Sequence, residues 1–488
     1  IYTIWHLTKR DFQHTNITLA KIRILHNVFY NGAVQTSSIL LNLLLMPYIT
    51  RVLGKEALGL NSFGQAIAGY FVLLGNLGIT IYGAKAIAER RDNSDKKQKK
   101  FGECITYQFF FNAIALVLYN GWVLFQGENI YLLFNIIILT SMTDLSWAYT
   151  GMERFDLIAI RNLVIKIAGT LIIFIFVKKE TDLALYILIQ QGVLLISNVV
   201  FWFELSKIDL KPFFSSISQA LRNILKPALL LFIPSIFTSI YLSLNKVMLG
   251  YMSTIGEVAI YDYPNRLVRI AITSIGILGT VLMPRLAYLN SKGNKEEYIL
   301  KTKQLLFGSI LCSVPVMYLL IMLATPLCTL FFTEEFKAAD YVMALVAPTV
   351  VTSGLSLYLV FVSLDRVNTL TYSVASGSII NILLNLCMLS TWGARGAAVS
   401  TIVTEILVHC ILVYYLRTII PIKWLLNKIV RFVTYGAIPF FIFKTYSFTT
   451  SIFPMICISI GYICIYLILI LTFEKKKLRE VFFSLRMK

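Results

Sequence analysis

Ser451-Ile-Phe-Pro-Met-Ile-Cys-Ile-Ser-Ile-Gly461-Tyr-Ile-Cys-Ile-Tyr-Leu-Ile-Leu-Ile-Leu-Thr-Phe473 contains no charged side chain. A helix rises 1.5 Å per residue, so ~20 such residues cross ~30 Å of hydrocarbon. Lipid offers backbone N–H and C=O groups no hydrogen bonds, so a spanning run of this kind must satisfy them within its own segment, as a helix. The same reading extends back along the chain. Comparable blocks lie near 26–49, 58–84, 102–125, 130–150, 157–177, 183–203 and 226–250. They continue near 259–284, 304–330, 339–364, 370–391, 394–416 and 428–447. The expected fold class is therefore all-α, a polytopic membrane protein of about fourteen transmembrane helices.

Composition agrees. Hydrophobic residues make up 57% of the chain and charged residues 14%, with a mean hydropathy of +0.75. A soluble domain could not bury that much apolar surface and still present a charged exterior. The net charge of +19 is large, but its placement decides its meaning. Basic residues cluster at Lys21/Arg23, Lys85–Lys100, Arg154–Lys166, Lys207–Lys226, Arg285–Lys303, Arg417–Arg431 and Lys475–Lys488. With fourteen spans, all of these fall on one side. That is the positive-inside pattern, and it predicts a multi-pass protein of the plasma (inner) membrane with both termini cytoplasmic. Nucleic acid is not an expected partner, since the basic turns carry no interleaved aromatic platforms. The first twenty residues lack the apolar core of a cleavable signal peptide and are expected to lie outside the fold.

Catalytic signatures are absent. The seven cysteines (Cys104, Cys312, Cys328, Cys387, Cys410, Cys457, Cys464) lie in or beside apolar spans without metal or redox spacing. No phosphate-cradling glycine loop and no nucleophile elbow occurs. Loops are short, so function is expected in the membrane interior, and no metal or cofactor is expected.

A short internal similarity organises the chain. Arg51-Val-Leu-Gly-Lys-Glu-Ala-Leu-Gly59 at the end of the first span matches Lys246-Val-Met-Leu-Gly250 at the end of the seventh, where Gly256-Glu-Val-Ala-Ile-Tyr261 follows. Each begins a six-span unit, which predicts an N-lobe over 21–205 and a C-lobe over 206–417 around a central cavity. Residues 418–473 then add two helices, and 474–488 form a basic cytoplasmic tail.

Ionisable residues inside spans are the candidate site, because each costs at least ~2.5–3.5 kcal/mol at the bilayer centre without a partner or a wet cavity. Arg51, Lys246, Arg266 and Arg269 are read as a cationic, substrate-binding surface. The alternative for Arg51, Lys246 and Arg266 is snorkelling to the interface. Asp144, Asn76, Asp262, Glu405 and His409 are candidates for lining the cavity or coupling to a proton or sodium gradient. For Asp144 and Asn76 the competing reading is an interhelical hydrogen bond and helix packing. A cationic cavity selects an anionic ligand, and arginine presents a planar fork to phosphate oxygens.

Three stretches carry a family resemblance: Pro47-Tyr-Ile-Thr-Arg-Val-Leu-Gly54 continuing to Asn76-Leu-Gly-Ile79; Trp147-Ala-Tyr-Thr-Gly-Met-Glu-Arg-Phe155 with Ala159-Ile-Arg-Asn162; and Asn381-Ile-Leu-Leu-Asn385 with Gly393-Ala-Arg-Gly-Ala-Ala398 and Ser400-Thr-Ile-Val-Thr-Glu405. In this order the chain resembles the polysaccharide repeat-unit (Wzx-type) flippases of the multidrug/oligosaccharidyl-lipid/polysaccharide exporter superfamily, over most of 21–473. The resemblance implies two six-helix lobes around a cationic cavity, and translocation of an undecaprenyl-diphosphate-linked oligosaccharide by alternating access. It implies a lipid-linked oligosaccharide substrate, with a polysaccharide polymerase and glycosyltransferases as functional partners. By position, Arg51, Lys246 and Arg266 would meet diphosphate or acidic sugar. Members often carry an acidic residue in the seventh span where this chain has Lys246, which leaves substrate charge and coupling ion open. The alternatives are a cation-coupled multidrug exporter, a lipid II flippase and, from another class, a membrane glycosyltransferase or polymerase.

Overall fold

The computed structural model describes residues 2–211, 213–444 and 452–475, with side chains from residue 39 onward except at 234, 235, 238, 241 and 242. Its elements are helical throughout these residues. The first helices are α1 (Tyr2–Asn76), α2 (Ile79–Ala88), α3 (Ser94–Gln126), α4 (Asn135–Thr143), α5 (Ser146–Gly151), α6 (Phe155–Phe176), α7 (Leu183–Phe203) and α8 (Ile217–Met252). There follow α9 (Ile255–Ser291), α10 (Lys295–Met322), α11 (Ala324–Phe331), α12 (Ala339–Val346), α13 (Thr349–Gly354) and α14 (Leu357–Ser363). Last come α15 (Val367–Leu416), α16 (Ile422–Lys444) and α17 (Ile452–Phe473). Residues 2–20, expected outside the fold, form the start of α1, and the basic tail beyond residue 475 lies outside the described residues.

Among the described residues, 10 helices are long and apolar enough to cross a membrane, or 11 if the bent pair Ala339–Val346 and Thr349–Ser363 is one span. The fourteen expected spans are not recovered as fourteen separate helices. The first two share α1, which is interrupted at Gly54. The eleventh and twelfth share α15, interrupted at Gly393.

At Gly393 the interruption is a reversal of the chain. Asn381 and Asn385 before it donate to or accept from Thr404 and Ser400 after it, and Gly377 abuts Val408. The pairs step outward symmetrically from Gly393, so α15 is an antiparallel helical hairpin. The turn is made by one residue with φ 52° and ψ −130°, a region that side chains other than glycine's hydrogen rarely enter.

The chain forms two compact units, 1–52 with 67–235 and 53–66 with 236–488. The first unit is built around Trp147, Tyr107, Tyr149 and Phe101. Gln108 ties its polar groups together: the amide donates to the carbonyls of Ser141 and Asp144, and its oxygen accepts the Trp147 indole N–H at 2.8 Å. At one end, buried Lys97 lies 3.0 Å from Asp209, and its ammonium holds that carboxyl below the usual carboxylate range.

In the second unit, side chains cap the helix starts. Thr254 accepts the Glu257 N–H, and Asn294 and Glu297 bond reciprocally at the start of α10. The last two helices belong to this unit. Phe432 meets Phe307 edge-on, Tyr318 donates to the Val433 carbonyl, and Tyr466 donates to the Leu311 carbonyl. Lys428 and Glu474 close the α16–α17 end as a buried ion pair at 2.6 Å.

Gly393→Val should lower the melting temperature of the purified protein. A side chain there adopts a sparsely populated backbone region at about 1–3 kcal/mol, and its Cβ would press on the Glu257 carboxylate. An unchanged melting temperature in a thermal size-exclusion assay would contradict the hairpin.

Candidate functional site

Asp262 is the centre of the charged cluster in the second unit. It sits on α9 just after that helix begins, and its side chain is 10% exposed. Arg266, four residues on, donates to Asp262 Oδ2 from Nε at 3.0 Å and from Nη2 at 2.6 Å. Lys246 on α8 reaches Oδ1 at 3.6 Å. Ser62, from the 53–66 segment, donates to Oδ2 at 2.9 Å and accepts from Arg266 at 3.3 Å. Two cations thus share one carboxylate, leaving the cluster with one positive charge.

The local chain explains the convergence. Pro264 removes a backbone donor from α9 between Asp262 and Arg266. The Arg266 guanidinium packs over the Tyr263 ring at 4.5 Å, an arrangement suited to its flat, weakly hydrated face. Gly250 lets α8 approach the 53–66 helix so closely that a Cβ there would overlap the Phe63 ring.

One helical turn along α9, Arg269 is exposed and lines a cavity of about 210 Å³. Glu405 lies on the same wall, accepting from Ser353 Oγ at 3.3 Å and lying 3.1 Å from His409 Nδ1. Beside it runs a ladder of neutral polar groups. Asn245 donates to Tyr261 and Thr401 at 2.9 and 2.7 Å. Asn385 donates to Asn245 at 2.7 Å and to Asn381 at 3.1 Å, and accepts from Ser400 at 2.6 Å.

The structure therefore brings Lys246, Asp262 and Arg266 into one cluster, and Arg269, Glu405 and His409 to or beside one cavity. The remaining candidates belong to the other compact unit. Arg51 is exposed, three residues before the Gly54 break. Asn76 ends α1 and accepts from Ser141 at 3.0 Å. Asp144 lies just before α5, accepting from the Ser146 N–H at 3.0 Å and its hydroxyl at 2.5 Å.

Several polar residues escaped the sequence reading. Asn245 stands beside Lys246, Tyr261 beside Asp262 and Thr401 beside Ser400, and no spacing links the three as a site until the fold assembles them. Asn381 and Asn385 did carry a signal, since residues four apart share a helix face. Arg161 on α6, part of a quoted family-like stretch but not a site candidate, stacks on Phe201 at 4.0 Å and donates to Asn198 and Ser146.

The family described as "Polysaccharide biosynthesis protein" matches residues 24–290, more than half of the chain. The chain belongs to that family. The matched stretch holds Lys246, Asp262 and Arg266. Among curated relatives, the "Putative O-antigen transporter" of Escherichia coli (strain K12) is 23% identical over 81% of this chain and 97% of its own length. The protein of the same name from Shigella dysenteriae is also 23% identical, over 78% of this chain and 97% of its own. Among solved structures, the "Lipid II flippase MurJ, inward closed conformation" superposes with a TM-score of 0.68 at 16% identity, covering 93% of this chain and all of that one. An inward-facing multidrug resistance MATE family transporter of the MOP superfamily reaches 0.61 at 13% identity, covering 82% of this chain and 99% of that one. The fold of this polysaccharide biosynthesis protein is thus the one seen in multi-pass membrane transporters and flippases.

Asp262→Ala should destabilise this family member markedly. Removing one partner of a buried pair costs about 3–5 kcal/mol, because the remaining charge is left uncompensated; partial exposure of Arg266 puts the cost at the lower end. The measurement is membrane abundance and melting temperature beside wild type. A variant as stable as wild type would show that the cluster is solvated.

Proposed function

We propose that this protein is a flippase that carries a lipid-diphosphate-linked oligosaccharide from the cytoplasmic to the outer leaflet of the plasma (inner) membrane, for assembly of a surface polysaccharide. The observation that carries the reading is the family match together with a cationic cluster at Lys246–Asp262–Arg266 inside the matched segment. The two relatives named for O-antigen transport support the substrate class. In this reading the diphosphate meets Arg266 and Lys246, Arg51 is a separate candidate for contact with the anionic headgroup, and the polyprenyl chain stays in lipid. Arg269, with Glu405 beside it, supplies a second charged contact, and Glu405–His409 is the pair to examine for ion coupling.

A headgroup of about −2 charge would be driven outward by an inside-negative potential, by up to ~4.6 kcal/mol per 100 mV. Neutralisation by the protein's own cations reduces that drive as the headgroup crosses. The proposed orientation, with both termini in the cytoplasm, rests on the charge asymmetry of the basic loops. Glycosyltransferases that build the repeat unit and a polymerase that consumes it are the expected functional partners. The cluster's two cations argue against a multidrug exporter of organic cations, whose site would favour acidic residues.

Deletion of the gene should cause undecaprenyl-diphosphate-linked repeat units to accumulate, as read by mass spectrometry of lipid extracts, and a plasmid copy should relieve it. Sensitivity to cationic drugs without such accumulation would favour the exporter reading. Within the complemented strain, Arg51→Ala and Arg266→Ala should each cut polymer export at least severalfold while the protein remains in the membrane. Wild-type export by both variants would remove the cationic-site assignment.

A further inference from the structure

The second unit has another cleft, away from the Asp262 cluster. It lies where the α8–α9 connection, the start of α12 and the Gly393 bend meet, and its volume is about 600 Å³. That lies within the ~300–1,000 Å³ range of ligand clefts. Its walls carry two large exposed rings, Trp392 at 56% and Tyr341 at 52%. Between them are Arg395, Glu257 and the hydroxyls of Thr254 and Thr391.

Glu257 and Arg395 have fixed seats. Glu257 accepts the Ala394 N–H at 2.6 Å, which pins its carboxylate to the bend of the hairpin. Arg395 packs over the Tyr341 ring at 4.9 Å. Trp392 and Arg395 flank Gly393 on its two sides, so the one-residue turn sets their spacing. A site whose parts are held before binding loses little freedom on binding.

The chemistry differs from that of the Asp262 cluster. The cleft is lined by one arginine and one glutamate, so there is no cationic surplus to hold a diphosphate. Flat aromatic faces beside fixed donors and acceptors suit a ligand that is apolar on one face and rimmed with hydroxyls. A pyranose ring has that shape: its C–H face lies on indole or phenol, and its hydroxyls bond to charged and hydroxyl side chains. An interfacial aromatic belt would set such rings on an apolar surface, whereas here they line a polar cleft.

We propose that this cleft binds neutral sugar residues of the carried oligosaccharide. The inference rests on the flippase reading above and extends it. By the charge asymmetry, the α8–α9 connection and the Gly393 bend lie opposite the basic loops. The cleft is therefore an outer-side sugar site, one that receives the headgroup after the diphosphate has passed the cationic cluster.

The test is calorimetric titration of the full chain in a non-glycosidic detergent. The probe is the soluble oligosaccharide freed by mild acid from the host's lipid-linked pool. Wild type should bind it, Trp392→Ala should weaken binding about tenfold, and Trp392→Phe should restore most of it. Arg395→Ala should weaken it severalfold. Failure of wild type to bind, or equal binding by wild type and Trp392→Ala, would overturn the assignment. Relief of lipid-linked accumulation by the wild-type gene separates the two readings. If wild type relieves it and Trp392→Ala binds normally, only the sugar site is wrong; if wild type does not relieve it, the flippase reading itself fails.

Discussion

Hydrocarbon offers a polar group no water to bond to, so each one must find its partner within the protein. The most demanding case here is Asp262, which takes up two cations and a hydroxyl from three separate stretches of chain. Those stretches are α8, α9 and the 53–66 segment, and the carboxylate fixes their mutual register. The polar ladder extends the same requirement through neutral groups. Asn245, Asn385, Asn381, Ser400, Thr401 and Tyr261 satisfy one another across three helices. Such interhelical bonds contribute modestly, on the order of 0.6 kcal/mol each. Their larger effect is on specificity, since a shifted helix would strand several polar groups at once.

Glycine supplies the geometry that makes this satisfaction possible. The hairpin of α15 turns in one residue, so its two arms pack closely enough for Asn381 to reach Thr404 and for Asn385 to reach Ser400. A longer connection would free the arms to slide, and the pairing would lose its register. The same bend delivers the Ala394 N–H to Glu257 on α9, which links the hairpin to the start of the helix that carries Asp262. Charge placement and backbone geometry are thus coupled within one unit.

Much of the fold was legible because the membrane's thickness writes itself into the length of apolar runs. The helices came out where the runs lay, and uncharged stretches such as 452–473 left no competing reading. Breaks were harder. Gly54 and Gly393 fall in the expected gaps between 49 and 58 and between 391 and 394, but nothing in the expected span 58–84 says that a helix ends at Asn76; that depends on what packs alongside. The site was legible in part for a related reason. Charges stand out against apolar sequence, so Lys246, Asp262 and Arg266 were found, but pairing is a property of three-dimensional distance. Asp262 read as a cavity-lining or coupling residue, and the structure pairs it with both cations. Asp144 and Asn76 stood out equally as polar residues in apolar sequence, and they prove to hold a helix start and a helix end. Asn245 and Thr401 did not stand out as site residues because neutral polar residues are ordinary in a span and their pairing joins positions 156 residues apart.

Sharing one carboxylate between two cations also has a consequence for a carrier. A bare pair of cations would hold a diphosphate tightly, and a site that binds tightly releases slowly. Translocation needs an interaction strong enough to admit the headgroup and weak enough to let it go. Under the proposed assignment, Asp262 would moderate the site in that sense: it neutralises half of the positive charge and lies beside Arg266 as a competing partner. Arg266 is 32% exposed at its side chain while Asp262 is 10% exposed, so the cation faces the accessible side and the carboxylate stays behind it. In the proposed flippase, an arriving anion would therefore meet the guanidinium first, and the carboxylate would be in place to take it back when the anion leaves.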